Sequence, residues 1–543
     1  MTNRAIARFF NKLAKIMELH DENTFKIRSY SNAYLSLRKV EQPLVEMPLD
    51  EIGAIKGVGK TIVDKIQELV ATGTLQAYEK YAEKTPEGIV QMLDIKGFGP
   101  KKIKVIWKQL EIDNVGELLY ACNENRLVEL KGFGLKTQAS LKKQLEYFIA
   151  SQGKFLHAYV YDEALALEAK IKSTFPDSVT ELTGPIRRLM PEVTGIDILT
   201  TVDASDIDTA IAELVVDEES GQLMYESYPV SIHTVDAASF GTKLFTMNSG
   251  AEFLDCVEEI PSATTEFEVF ENLGLTYVVP EYRESEVAFA QAKSNDLPAL
   301  VSMDDIRGVV HNHSTYSDGL HSVAEMAQEC ITQGYEYLVM SDHSKAAFYA
   351  DGLSEDQVYA QMAEIDKLNE GYDNFRIFKS IECDILNDGS MDYGDDFLGE
   401  FELVIASVHS NLKMDQTKAM ARLTKAIENP RTHILGHPTG RLLLAREGYP
   451  IDHAYIIDAC AANGMIIELN ANPSRLDIDW AWIPYALEKG VKISINPDAH
   501  STDQIKYISA GVNAARKGGL TADMCLNAMD LEGFSKWVAG LRG

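Results

Sequence analysis

From about residue 306 onward, short apolar segments alternate with amphipathic helical patterns, and most of the segments end in a histidine or a carboxylate. The pattern begins with GVVHNH, SVAEMAQECITQG and YEYLVMSDH and continues to KISINPDAH. Strands that alternate with helices in this way predict an α/β barrel of parallel strands. In such barrels the functional side chains collect where the strands end. Nine of the twelve histidines follow residue 300, so we expect the chemistry of the chain to lie in this part.

The spacing of these polar residues predicts a multinuclear metal site. His311 and His313 are two residues apart, which on an extended strand places both imidazoles on one side, and Asp498 and His500 repeat the spacing. A mixed set of imidazole and carboxylate ligands suits Zn, Mn or Fe. A lone histidine is more often structural than a ligand, whereas a series of them at successive strand ends is typical of a metal site. The expected ligands are His311, His313, Asp318, His343, Glu382, His409, His437, Asp498 and His500.

Length and charge divide the chain further. A chain of 543 residues is long enough for several domains. The net charge of −31 argues against a nucleic-acid partner, but residues 1–150 carry 23 Lys and Arg against 19 Asp and Glu. No apolar run approaches the ~20 residues that cross a bilayer, and the amphipathic start lacks a signal-peptide core. The six scattered cysteines form no CxxC pair. We therefore expect a cytoplasmic monomer without disulfides or membrane contact.

The basic head contains one short motif three times, an apolar residue and two glycines followed by a lysine-bearing helical pattern. The copies lie at 55–60, 95–102 and 130–136. The glycines permit a tight turn, and the helix that follows offers free N–H groups to a phosphate. This helix–hairpin–helix signature predicts binding of the DNA backbone, reinforced by nearby lysines. The expected DNA-binding residues are Gly57, Gly59, Lys60, Gly97, Gly99, Lys101, Lys102, Gly132, Gly134 and Lys136.

The head resembles the N-terminal region of bacterial family X DNA polymerases. The segments at 25–33 (FKIRSYSNA) and 57–66 (GVGKTIVDKI) carry the resemblance. It implies that the partner is gapped, nicked or 3′-ended duplex DNA. Lys65 occupies the place of the lysine that, in eukaryotic repair members, forms a Schiff base with an abasic sugar. Such chemistry requires an amine of depressed pKa, so a plain solvent-facing helix lysine is the alternative.

By the same resemblance, residues 153–300 are an α+β polymerase palm. The family holds two metal ions with an aspartate pair on one strand and a third aspartate on a neighbouring strand. Here Gly195 stands where the first aspartate is expected, Asp197 is retained, and Ser231 aligns with the third. Asp236 lies five residues past Ser231, an odd offset that faces the other side of a continuous strand. We expect this palm to be inactive in polymerisation because two of three carboxylates are missing.

Two further palm segments depart from the family. Gly184-Pro185 replaces the Gly-Ser that binds the triphosphate, although Arg187 and Arg188 remain. The segment 245–248 (FTMN) replaces the family's Thr-Gly-Ser turn. The palm therefore retains Asp197, Arg187 and Arg188 as remnants, with a role in gripping DNA or as a spacer.

The last section, about 306–540, resembles the polymerase-and-histidinol-phosphatase (PHP) domain, a distorted βα barrel. The resemblance implies three ions. One would be held by His311, His313, Glu382 and Asp498, a second by Glu382, His409 and His437, and a third by Asp318, His343 and His500. Arg441 and Arg475 are candidates to orient the phosphate ester, and a salt bridge on the barrel rim is the alternative for each.

The predicted domains are 1–85 and 86–152 for the helical hairpins, 153–300 for the degenerate palm, and 306–543 for the metal-dependent phosphoesterase. Together they predict a DNA-repair protein that hydrolyses DNA phosphodiesters, as a 3′–5′ exonuclease, an abasic-site endonuclease or both. Two alternatives stay open. The chain could retain family X DNA polymerase activity, or it could be a DNA-end-binding scaffold whose barrel hydrolyses a small phosphomonoester.

Overall fold

The computed structural model describes residues 3–541 except 41, 46, 96–97, 129, 131, 151–152 and 218–220. The chain forms two compact units, residues 1–149 and 150–543. The finer predicted divisions, at 85 and at 300, remain predictions.

The first unit is helical, as predicted. In α1, Ile6, Phe10, Leu13 and Met17 recur at helical spacing and are buried, so one face of this helix builds the core of the unit. The helices are α1 (Asn3–Leu19), α2 (Thr24–Leu37), α3 (Leu49–Ala54), α4 (Lys60–Thr72), α5 (Gln76–Ala82), α6 (Glu87–Met92), α7 (Pro100–Gln109), α8 (Val115–Asn123) and α9 (Leu135–Ala150).

The second unit begins with the predicted α+β palm. Its main sheet has the order β2-β4-β7-β6-β5, in which β4 and β7 are parallel and the other pairs are antiparallel. The elements are β1 (Phe155–Leu156), α10 (His157–Thr174), β2 (Thr180–Leu182), α11 (Gly184–Arg187), β3 (Glu192–Val193), β4 (Ile196–Thr200), α12 (Ala204–Ala210), β5 (Leu214–Val216), β6 (Leu223–Tyr225), β7 (Tyr228–Thr234), α13 (Phe240–Met247), α14 (Ala251–Asp255), α15 (Glu266–Leu273) and α16 (Glu286–Ser294).

The predicted parallel barrel follows. Seven parallel strands adjoin in chain order, from β8 to β14. The elements are β8 (Gly308–Asn312), α17 (Val323–Thr332), β9 (Tyr337–Met340), α18 (Glu355–Asn369), β10 (Arg376–Asp384), α19 (Asp395–Leu398), β11 (Leu403–Ser407), α20 (Gln416–Ile427), β12 (Ile434–Leu435), α21 (His453–Asn463), β13 (Ile466–Asn470), α22 (Ile483–Glu488), β14 (Ile493–Asn496), α23 (Ile508–Lys517) and α24 (Leu531–Leu541).

Side chains and backbone close the seam between the first and last barrel strands. The Asn527 amide donates to the carbonyls of Gly308 in β8 and Ile495 in β14, at 3.2 and 2.8 Å. Beyond the strands, the N–H of His313 donates to the carbonyl of Ala499 at 2.9 Å. Inside, Phe534 of α24 stacks on Tyr337 with 4.2 Å between ring centroids. The interior is therefore a packed core, which leaves the carboxyl ends of the strands for the site.

Candidate metal centre

The predicted metal ligands converge at the carboxyl ends of the barrel strands. His311 lies in β8 and Glu382 in β10, and the others lie in loops that follow the strands. None of these side chains exposes more than 11% of its surface. Residues from across nearly 190 positions of sequence thus form one buried cluster at the mouth of the barrel.

Glu382 lies at the middle of the cluster. Its Oε1 atom is 3.0 Å from His437 Nε2, 3.1 Å from His409 Nε2 and 3.2 Å from His311 Nε2. Its Oε2 atom is 2.9 Å from His343 Nδ1. One carboxylate therefore reaches four imidazoles, which is the arrangement expected of a ligand shared between ions.

Two further carboxylates hold the sides of the cluster. Asp498 Oδ1 lies 3.0 Å from His313 Nε2 and 3.6 Å from His311 Nε2. On the other side, Asp318 Oδ1 lies 3.4 Å from His500 Nε2 and 3.6 Å from His343 Nε2. Asp318 thus joins imidazoles from two different loops, and Asp498 joins the two imidazoles at the end of β8.

Within the described part of the chain, groups of three or more ligand atoms lying within 4.8 Å of one another occur only in this barrel. One group contains the expected third set, Asp318, His343 and His500, together with His313. The others overlap the first two sets through Glu382. The groups are His313, Asp318, His343 and His500; His311, His313 and Glu382; and His343, Glu382 and His409.

The donor atoms fit divalent cations. Among the described residues, His311 Nε2, Asp318 Oδ1 and Glu382 Oε2 are buried without a well-aligned hydrogen bond. Each nevertheless lies within 3.6 Å of another ligand. Lone pairs that crowd together without bonding one another are what a shared cation would satisfy, and the mixture of imidazole and carboxylate suits Zn, Mn or Fe.

The cluster favours ionised carboxylates. Burial raises the pKa of Glu382, but the imidazoles of His409 and His311 outweigh burial and hold this pKa well below its usual range. Burial also opposes protonation of His409, yet Glu382 and Asp384 raise its pKa to about 10. For His313, burial prevails and lowers the pKa to about 3. Ionised carboxylates and neutral imidazoles are the forms that bind metal ions, so a cation that binds here would displace the proton of His409.

The backbone at the ligands differs from the prediction of regular strands. His311 has φ of 66°, and the pairing of β8 with β9 shifts register between Val309 and Asn312. His437 and Asp498 also have positive φ, 22° and 53°. His311 and His313 do face the same cluster, as predicted, with 5.3 Å between their ring centroids, but an irregular strand end places them there instead of a continuous strand. Strained backbone of this kind clusters at functional sites.

Sequence reasoning missed the residues that orient the ligands. Glu468 in β13 is fully buried, with Oε1 2.7 Å from His311 Nδ1, and its Oε2 accepts the N–H of His437 at 2.6 Å. Asp384 hydrogen-bonds His409 Nδ1. Such partners fix the tautomer and direction of a ligating imidazole. Asp384 lies two residues past Glu382, so strand alternation was a usable signal for it.

Asp342 fixes the loop that carries Asp318. The Asp342 carboxylate, fully buried, accepts the N–H of Ser314 at 2.8 Å and its hydroxyl at 2.7 Å. It also accepts the N–H of Ser317 at 3.2 Å. These bonds hold the turn that brings Asp318 back to the cluster. No spacing in the sequence pointed to this role.

The two candidate arginines differ in position. Arg475 is buried, and its Nε lies 3.8 Å from Asp498 Oδ2, beside the ligands. Arg441 instead donates its Nε to the carbonyl of Arg475 at 2.9 Å and pairs with Asp479. The salt-bridge alternative therefore describes Arg441, which supports the 475–479 loop, whereas Arg475 lies next to the site.

Of the three aspartates that the family resemblance places in the palm, this chain retains Asp197. Asp197 in β4 pairs in register with Ser231 of β7, as the alignment to the missing aspartate predicts. Its Oδ1 atom lies 3.3 Å from Nε2 of His233. Burial raises the pKa of Asp197 despite His233. Asp236 is exposed and follows the strand, which ends at Thr234.

Backbone packing excludes an aspartate at Gly195. A Cβ atom there would lie 2.4 Å from the carbonyl oxygen of Pro229, and the backbone has φ of 155°. The residue that replaces the first family aspartate thus allows two backbone segments to approach too closely for any side chain. The loss of this ligand is built into the fold of the palm.

The expected nucleotide-binding groups of the palm are engaged elsewhere. The N–H of Gly184 donates to Asn248 Oδ1 at 2.9 Å. Arg187 lies 3.4 Å from Glu266, and Arg188 lies 3.0 Å from Glu284. These arginines are thus committed to ion pairs within the second unit.

The first unit contains the predicted hairpin turns. Gly57 and Gly132 have φ of 88° and 94°, in the left-handed region that favours glycine. Gly59 and Gly99 precede α4 and α7 as N-caps. Among the described residues, no atom lies within 4 Å of a Cβ built at Gly59, Gly99, Gly132 or Gly134, which leaves these turns open to a ligand. Gly97 lies outside the described residues.

The lysines near the turns divide into two groups. Lys60, Lys101 and Lys136 are exposed, as binding to a phosphate backbone requires. Lys102 lies over the ring of Phe133, with Nζ 5.5 Å from the centroid.

Lys65 lies on α4 and forms an ion pair with Glu68, one turn further on. Nucleophilic lysines are activated by an apolar pocket or a second cation. The carboxylate neighbour favours the alternative of an ordinary helix lysine.

Comparison with known proteins gives matches over the whole chain. Residues 1–75 match the model of a helix-hairpin-helix domain, and residues 89–146 match that of a SAM-like helix-hairpin-helix tandem. The DNA polymerase/3′-5′ exonuclease PolX of Bacillus subtilis (strain 168) is 31% identical over an alignment of 571 positions, which covers 99% of this chain and 100% of that protein.

Proteins named as probable phosphatases match a smaller part. One from Thermoanaerobacter sp. (strain X514) is 27% identical over 229 residues, covering 40% of this chain and 88% of the relative. One from Syntrophotalea carbinolica is 25% identical over 229 residues, covering 40% and 90%. The part that they match is the C-terminal one.

Helical hairpins, a palm and a barrel with clustered metal ligands define a metal-dependent phosphoesterase that acts on DNA. The chain belongs to the PolX family of DNA polymerase/3′-5′ exonucleases. No described helix is long and apolar enough to cross a membrane.

Proposed function

We propose that the barrel is a DNA-repair nuclease centre that removes 3′ nucleotides, cuts at abasic sites or does both, and that the palm does not polymerise. The observation that carries the proposal is the convergence of imidazoles from four loops and strands on Glu382. The open hairpin turns of the first unit supply the contact with DNA.

The ligands divide among three ions of Zn, Mn or Fe. His311, His313, Glu382 and Asp498 would hold the first ion. Glu382, His409 and His437 would hold the second, and Asp318, His343 and His500 would hold the third. When bound, divalent ions would provide a hydroxide near neutral pH and would offset the charge that develops on the phosphate.

The chain's own groups position the ester. Arg475, beside Asp498, brings a guanidinium to the edge of the cluster, where it can hold a phosphate oxygen. Arg441 keeps that residue in place by binding its carbonyl. Glu468 and Asp384 hold the ring planes of His311 and His409, so the ligand geometry is preorganised.

The partner DNA is a gapped, nicked or 3′-ended duplex, and the protein acts as a monomer. The support for the duplex is the pair of helix-hairpin-helix matches together with the exposed Lys60, Lys101 and Lys136. These groups contact the backbone, which makes binding independent of base sequence and sensitive to salt.

The test is hydrolysis of a 3′-recessed duplex in Mn²⁺. We expect shortening of the strand by the natural protein, and no shortening by His311→Ala, which should still bind the duplex. The probable-phosphatase relatives support one alternative, a phosphomonoesterase barrel. Cleavage of a small phosphomonoester without any shortening of DNA would establish that alternative and overturn the nuclease. Metal analysis of the purified protein should find up to three transition ions per chain.

A further inference from the structure

A crevice lies between the palm and the barrel, within the second unit. Its volume is about 310 Å³. The junction of two domains is a common location for binding pockets, and the volume is at the lower end of those that hold small organic ligands. It therefore suits one nucleotide and excludes a duplex. The palm contributes Tyr159, Tyr161, Leu189 and Pro191, and the barrel contributes Pro473, Leu476, Lys506 and Tyr507.

Two walls of the crevice belong to segments that also form the metal centre. Pro473 and Leu476 flank Arg475, whose side chain reaches Asp498. Lys506 and Tyr507 lie at the end of a short 3₁₀ helix, Thr502–Tyr507, which begins two residues after His500. A ligand in the crevice would thus contact the same loops that hold the ions and the candidate phosphate-binding arginine.

Backbone strain marks both sides of this crevice. Leu189 on the palm side has φ of 53°, and Leu476 on the barrel side has φ of 42°. A bulky residue in the left-handed region is a backbone outlier, and such outliers persist mainly at functional sites. Leu189 and Leu476 thus place strained backbone on opposite walls of the crevice, which indicates a function for it beyond filling a seam.

The side chains have the chemistry of a single-strand binding site. Tyr159 is 39% exposed on the palm wall, and the ring of Tyr507 lies on the opposite, barrel side. Lys506 is exposed beside Tyr507, whereas the carboxylate of Asp162 lies on the palm helix. Aromatic rings stack on unpaired bases, and a lysine attracts the backbone phosphate. The phosphate would therefore lie on the barrel side and the base against the tyrosines.

We propose that this crevice binds one nucleotide of a single DNA strand and holds the strand for hydrolysis in the barrel. The proposal rests on the nuclease function proposed above. It gives the palm a present role, because a domain without a metal site would still form one wall of the substrate channel.

The test compares a single-stranded oligonucleotide with glycerophosphoglycerol, a small diester that has no ring to stack. Loss of stacking in Tyr159→Ala should raise the KM for the oligonucleotide about tenfold and leave kcat unchanged. Tyr159→Phe should keep the natural KM, since the ring is retained. Lys506→Gln should reduce the salt dependence of log KM by a slope of about 0.7, the value for one phosphate of a single strand. Hydrolysis of the small diester should be equal in all of them.

Tyr455→Ala is the matched control, because this tyrosine is 51% exposed on α21 and does not line the crevice. If the natural protein shortens the oligonucleotide and every crevice variant keeps its KM and salt slope, the crevice proposal is overturned and the nuclease stands. If the natural protein hydrolyses only the small diester, the nuclease proposal fails and the crevice proposal fails with it. An equal loss of small-diester hydrolysis in Tyr159→Ala would show damage to the barrel and would also overturn the proposal.

Discussion

The palm and the barrel each place a carboxylate beside histidine, yet only one of them is a metal site. In the palm, Asp197 has a single imidazole neighbour, His233, at 3.3 Å. In the barrel, Glu382 lies within 3.2 Å of His311, His409 and His437. The difference shows that a metal centre depends on convergence of ligands from several elements. One retained aspartate on an otherwise well-formed strand does not provide it.

In the palm, other contacts occupy the positions where the family's functional residues are missing. The backbone of Pro229 occupies the space of a side chain at Gly195, and Asn248 binds the N–H of Gly184. Arg188 pairs with Glu284, which in turn accepts the buried Lys517 ammonium at 2.8 Å. These contacts stabilise the second unit.

The largest expected effect is the difference in activity between variants of Glu382 in the barrel and Asp197 in the palm. Glu382→Gln should lower kcat for DNA hydrolysis by about 1,000-fold or more, because loss of shared metal ligation removes several kcal/mol of transition-state stabilisation. Asp197→Asn should leave kcat within about twofold. Steady-state hydrolysis of an oligonucleotide, with metal content measured on the same samples, checks both. Equal losses in the two variants would break the comparison.

A smaller effect is expected one step away from the ions. Glu468→Gln keeps the shape of the side chain but removes the charge that faces His311 Nδ1. We expect a 10- to 100-fold loss in metal affinity or activity, as is typical for such supporting partners. The control is Glu402→Gln, a buried glutamate at the amino end of β11 that binds the N–H of Lys379 at 2.9 Å. If Glu402→Gln lowers metal affinity as much, the effect is one of folding.

Restoring the first palm aspartate should harm the protein. In Gly195→Asp the new Cβ would clash with the carbonyl of Pro229, so we expect a loss of more than about 2 kcal/mol in the free energy of unfolding. Ser231→Asp, at an exposed position, should be tolerated. The midpoint of the urea transition measures both. Primer extension by Gly195→Asp, alone or with Ser231→Asp, would contradict the view that the palm backbone excludes the site.

The smallest effect concerns pH. Burial raises the pKa of Asp197 above the ordinary value of 3.8, so its contribution to stability is present at low pH and is lost as the carboxyl ionises. Asp197→Asn removes this ionisation. The stability of the variant relative to the natural protein should therefore increase between pH 4 and pH 7. Urea midpoints at several pH values measure the trend, with Asp236→Asn, a substitution at an exposed position, as control. If the stability of Asp197→Asn relative to the natural protein falls as the pH rises, the predicted direction is wrong.

Much of this architecture could be predicted from the sequence, because hydrophobic periodicity and metal-ligand spacing are local. The ligands, the barrel and the hairpins are of this kind. Glu468 and Asp342 could not be found in the same way, since their roles depend on contacts between segments far apart in sequence. The bulge at His311 and the pairing of Arg441 with Asp479 likewise arise only when the strands and loops pack.

One reaction tests most directly whether the barrel, and not the palm, is the catalytic centre. The Glu382→Gln variant is expected to lack nuclease activity, so degradation cannot mask synthesis. This variant and the natural protein are each incubated with a 3′-recessed duplex, Mn²⁺ and all four deoxynucleoside triphosphates. The account predicts that the natural protein shortens the recessed strand and that the variant leaves its length unchanged. Extension of that strand by the variant would contradict it.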